Sequence, residues 1–87
     1  MYEKFSYSIL KIFNIKGYRM KFYERVKALR EKAGLSIKEF AAIFNVSERT
    51  VIKWESNLSY PNIGIFVKIA DYFCVSGDYL AGRGDGE

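Results

Sequence analysis

The chain has 87 residues, 49% of them apolar and 17% aromatic, a composition that suits one packed domain and is too hydrophobic for a disordered chain. A single cysteine excludes an intramolecular disulfide, and the lack of histidine removes the usual metal ligand and the usual general base, so no metal, cofactor or enzymatic activity is expected. The formal charge of +4 belongs to residues 1–21, where Lys4, Lys11, Lys16, Arg19 and Lys21 face one anion, Glu3; residues 22–87 carry nine charges of each sign, so any attraction to phosphate there must come from local placement and from helix N-termini.

Residues 1–21 form an extension whose conformation the pattern leaves open. Tyr2, Phe5, Ile9 and Ile12 permit an amphipathic helix, while Phe5, Tyr7 and Ile9 alternate as a strand would. No small-residue cleavage site and no apolar run of membrane-spanning length occurs, so a cytoplasmic protein without a membrane partner is expected.

The first helix is predicted from Phe22 to Ala33, with Phe22, Val26, Leu29 and Ala33 recurring at spacings of three and four, and Gly34 ends it. Ser36 and Glu39 form a capping-box pair that starts a second helix running to about Phe44, with Phe40, Ala41 and Phe44 as its buried stripe. Asn45 stands where a left-handed residue is needed. Ser47 caps a third helix, Glu48 to Glu55, with Val51 and Trp54 inward and Glu48, Arg49, Thr50 and Lys53 outward.

A loop from Asn57 to Asn62 holds the only proline, whose fixed geometry suits the start of a fourth helix, Ile63 to Phe73. Ser76 caps a short fifth helix through about Leu80, and residues 83–87 read as a flexible tail. Short connections between five helices describe an all-α bundle. Ile52, Ile65, Val67 and Tyr72 fall off the apolar stripes and need a cover, from a second subunit or from the extension.

The segment SIKEFAAIFNVSERTVIKWE, Ser36 to Glu55, sets small Ala41, a turn at Asn45-Val46 and buried-type Val51 at the offsets two closely crossing helices need. This is a helix-turn-helix signature and makes DNA binding the leading expectation. The major groove admits one α-helix and shows each base pair as a distinct pattern of donors, acceptors and methyl groups. On the third helix Arg49 can donate a fork to guanine, Thr50 can offer a methyl or a hydroxyl, Glu48 can accept from cytosine, and Lys53 lies one turn on. Ser47 can bond phosphate as well as cap.

These residues, with the leading RVKALREKAGL, the loop ending in Pro61-Asn62 and the closing ADYFCVSGDYLAGR, resemble the Cro/C1-type (XRE) helix-turn-helix family of phage and bacterial regulators over residues 22–82. The resemblance implies a compact five-helix, lambda-repressor-like DNA-binding domain behind an amino-terminal extension. It implies that Glu48, Arg49 and Lys53 read bases and that the starts of the second and fourth helices hold phosphates. The expected phosphate set is Ser36, Ile37, Lys38, Ser47, Ser56 and Asn62. It also implies a structural ion pair between Arg30 and Glu55.

The family commonly has glutamine at the position of Ile37, glycine at that of Cys74 and a polar residue at that of Ile52. Cys74 is expected to be a buried or half-buried inert side chain. Met20 stands directly before the family-like part, and Lys16-Gly17 permits a purine-rich codon pair upstream, so translation from Met20 is compatible with the sequence.

The function these features predict is a transcriptional regulator, a repressor in the first instance, binding a palindromic double-stranded operator as a homodimer. The alternative is an antitoxin-like or other protein-interaction module that uses the same fold to bind a protein partner.

Overall fold

The computed structural model describes residues 20–83, and expectations for residues 1–19 and 84–87 lie outside this range. Five helices follow in chain order: α1 (Phe22–Lys32), α2 (Ile37–Ile43), α3 (Glu48–Glu55), α4 (Ile63–Phe73) and α5 (Gly77–Ala81). Among the described residues there is no strand, and no helix is long and apolar enough to cross a membrane.

Each helix begins on an extended residue and is closed by a left-handed residue within two positions of its end, which explains how so short a chain makes four tight turns between five helices. The Glu24 carboxylate accepts from the Lys21 amide at 2.9 Å, and Ser36 Oγ accepts from the Glu39 amide at 3.0 Å while Glu39 accepts from Ser36 N at 2.8 Å. Asn62 Oδ1 accepts from the Ile65 amide at 2.9 Å, and Ser76 Oγ from that of Tyr79 at the same distance. The cap of α4 is therefore Asn62, with Pro61 just outside it, where its missing N–H costs nothing.

At the other ends, φ is positive at Gly34, Asn45, Asn57, Cys74 and Gly82. The following residue's amide reaches back to the last turn each time, as in Val46 N to Ala41 O at 3.0 Å and Leu58 N to Lys53 O at 2.9 Å. Cys74 takes this conformation at φ 57°, so α4 ends where the sequence placed its end, in a geometry that a glycine would adopt with less strain.

The core joins Phe22 and Val26 of α1, Phe40 and Ala41 of α2 with Phe44 at its end, Val51 and Trp54 of α3, Ile69 and Ala70 of α4, and Leu80 of α5. Phe40 is its hub, edge-on to Phe44 and Trp54 and stacked with Phe73. Three expectations need correction. Ala33, placed on the first stripe, is the exposed cap residue after α1, because the helix closes one residue before the pattern does. Ile65, placed off the stripes, packs half-buried against the core. Cys74 is exposed, its left-handed backbone turning the side chain off the buried face of α4.

The two ends of the domain meet. Gly82, at φ +87°, lies so close to the start of α1 that an added Cβ would stand 2.9 Å from Met20 O and 3.1 Å from Lys21 Cα. Gly82→Ala would meet both the left-handed penalty and rigid backbone, and is expected to lower stability by about 1–3 kcal/mol. Thermal unfolding checks it, with Gly34→Ala, which meets no atom within 4 Å, as the control for backbone strain alone.

Candidate nucleic-acid interface

The outward side of α3 owes its position to its inward side. Val51 is fully buried and Trp54 is 2% exposed, so the helix cannot roll without opening the core. Ala41, 2% exposed on α2, carries too little side chain to hold α3 away, and the left-handed Asn45 turns the chain between them. Glu48, Arg49 and Lys53 are consequently exposed together on one face.

Thr50 departs from that set. It is half-buried, and its hydroxyl lies 2.9 Å from Ser47 Oγ, which also accepts from the Thr50 amide at 3.1 Å. Its side chain thus completes the cap of α3 and offers its flank, rather than its full hydroxyl capacity, to a base.

The expected phosphate residues divide in the same way. Ser36, Lys38, Ser47 and Asn62 are exposed at the starts of α2, α3 and α4, where amide donors and the helix dipole favour an anion. Ile37 is half-buried against the core and has no polar side-chain atom, so a phosphate contact there would fall to its backbone amide. Ser56 caps the opposite, carbonyl-rich end of α3, and its amide donates to Ile52 O at 2.9 Å.

Behind this surface Arg30 of α1 holds the end of α3. Its Nε donates to Glu55 Oε2 at 2.7 Å and its Nη2 to Oε1 at 3.0 Å, a two-pronged contact between side chains 10% and 7% exposed. Nη1 donates to Leu35 O at 2.8 Å, so one guanidinium joins α1, the α1–α2 turn and α3. The hydrogen bonds to Glu55 raise the Arg30 pKa against the opposing effect of burial, with the charges of Glu55 and Glu31 adding to the rise. A raised value for a base means that this stabilisation is complete below the ordinary arginine range and is lost only above it, so Arg30 stays charged at any working pH.

Sequence reasoning missed Arg25. It is 5% exposed, its Nη1 donates to Tyr79 O at 3.0 Å and its guanidinium carbon stands 4.1 Å from the centre of the Tyr79 ring. The contact pins α5 to α1. The partners are 54 residues apart, and no local pattern announces such a pair.

Two helices crossing over a small residue, the second presenting a charged face above a buried Val-Trp pair, define a helix-turn-helix protein. The Helix-turn-helix family model matches residues 26–80, and the chain belongs to that family, in its Cro/C1-type (XRE) branch. It is 31% identical over 64 residues to the HTH-type transcriptional regulator ImmR of Bacillus subtilis (strain 168), an alignment covering 74% of this chain and 50% of that protein. A crystal structure of a transcriptional regulator from Listeria innocua matches with a TM-score of 0.71 and 30% identity, over 80% of this chain and 65% of that one. The chain thus spans about half the length of the Bacillus relative. Both relatives are named as transcriptional regulators.

Proposed function

We propose that this protein binds double-stranded DNA sequence-specifically through α3 and regulates transcription, acting as a cytoplasmic repressor on a palindromic operator. The observation that carries the reading is the shared exposure of Glu48, Arg49 and Lys53 on a helix whose opposite side is fixed by Val51 and Trp54. A helix about 10–12 Å across fits a major groove about 12 Å wide, and a reader must be rigid to discriminate bases. Residues 22–82 would be the binding unit, with the starts of α2 and α4 on the phosphates, and residues 1–21 an appended extension.

A homodimer is the favoured assembly. Leu58 and Tyr60 in the α3–α4 loop and Ile63 and Val67 on α4 are 47–75% exposed, which is apolar surface for a second subunit to cover. Two-fold pairing sets half-sites about 34 Å apart. The same apolar residues favour the second reading, capture of a different protein. That reading requires a stoichiometric partner in pull-down together with no retention on DNA at low salt.

Selection of bound fragments from random duplexes tests the function. Arg49→Ala should weaken binding to the selected site by about 1–3 kcal/mol and relax preference at one base position. Lys38→Ala should weaken all sequences alike. Equal losses on random and selected DNA from both variants would remove α3 from the role of reader. With three or four phosphates held per subunit, log affinity of the dimer should fall with log salt at a slope of roughly −5 to −7. A flat response in the same titration would contradict a backbone-contacting mode.

A further inference from the structure

We infer that Ile52 is a specificity-determining residue that packs against the C5-methyl group of a thymine. The inference rests on the reading of α3 as the DNA-reading helix and deepens it.

At about 100° per residue, Ile52 lies about 40° round the helix from Glu48, with Arg49 at about 100° and Lys53 at about 140°. Val51 and Trp54, at about 300° and 240°, point the other way. Ile52 therefore stands inside the outward face, between Glu48 and Arg49, and its 47% exposure contrasts with 0% for adjacent Val51. An exposed isoleucine is unremarkable alone. Its flanking outward neighbours on α3, however, are all charged.

That setting discriminates between covers. A protein surface closing over Ile52 would have to take Glu48, Arg49 and Lys53 out of water and pair each of them. The major groove instead offers both cations acceptors on bases and phosphates, and the apolar group it presents on base edges is the thymine methyl. A β-branched side chain on a helix is held close to one rotamer, so it presents its methyl groups at little entropic cost.

The test starts from the duplex selected by the wild-type protein. Each thymine of a half-site is replaced in turn by deoxyuridine, which deletes only the methyl group, and affinities are measured for wild type, Ile52→Ala and Ile52→Val. One position per half-site should weaken wild-type binding about fourfold on loss of its methyl, or about 0.8 kcal/mol, leave Ile52→Ala unaffected, and affect Ile52→Val to an intermediate degree. Unchanged melting temperatures are expected because the side chain lies outside the core.

A selected half-site without thymine, equal deoxyuridine effects in wild type and Ile52→Ala, or a loss of self-association in sedimentation that accounts for the variant's whole defect overturns the assignment. Failure of the wild type to enrich any sequence is a distinct result. It removes the DNA-reading function of α3, and this inference with it.

Discussion

Glu55→Ala is expected to lower the unfolding free energy by about 3–5 kcal/mol, because it strands a buried arginine charge. In the native domain Arg30 gives Glu55 two hydrogen bonds while both side chains are almost wholly shielded from water. After truncation the guanidinium keeps only the Leu35 carbonyl and the loose, 3.9 Å approach of exposed Glu31. A domain of this size has on the order of 3–10 kcal/mol of stability in all, so the loss takes from about a third of it to the whole of it. The paired replacement Arg30→Met with Glu55→Leu should be less damaging than Glu55→Ala, since no charge is left buried and the main residual defect is the Leu35 carbonyl without its donor. Urea unfolding followed by circular dichroism measures both. A loss under about 1 kcal/mol for the single variant would mean that the pair behaves as a surface contact.

Trp54→Ala should be comparably severe, about 3–5 kcal/mol, because the cavity falls at the junction of α3 with α2 and α1. Trp54 is among the largest fully buried side chains and meets the Phe40 ring edge-on, with centroids 6.5 Å apart. Trp54→Phe keeps a ring in the site and should lose less. The two variants separate stability from recognition: where Trp54→Phe remains folded, a loss of sequence preference with retained non-specific binding would report α3 tilting over an imperfect seat. Circular dichroism is the probe common to all three proteins, as the tryptophan fluorescence is lost with the single tryptophan. Full native stability in Trp54→Ala would contradict the account of α3 as locked from beneath.

Much of this was legible because the helix ends are chemically local. Ser36 with Glu39, Gly34, Asn45 and Ser47 act within four residues of themselves, and α3 was placed at Glu48–Glu55 as found. Periodicity likewise put Val51, Trp54 and Phe40 inside. Packing between distant segments was less legible. The half-burial of Ile65 depends on where α4 settles, and the Arg25–Tyr79 contact depends on α5 folding back onto α1. Backbone geometry overrode composition at Cys74, whose ordinary preference for burial yields to the left-handed closing residue of α4. On the outward side of α3, the charged residues were legible from their spacing, while Ile52 stood out only as apolar surface in need of a cover, because periodicity sorts side chains by polarity alone.

The closeness of Gly82 to Met20 has a practical corollary for engineering. A short glycine-serine bridge from Arg83 to Met20 would have little distance to span, and new termini could be opened between Leu58 and Ser59, just beyond the Leu58 amide that closes α3. Such a circularly permuted protein would keep α2, the turn and α3 contiguous while dispensing with everything before Met20, so whatever recognition survives in it belongs to the five helices themselves.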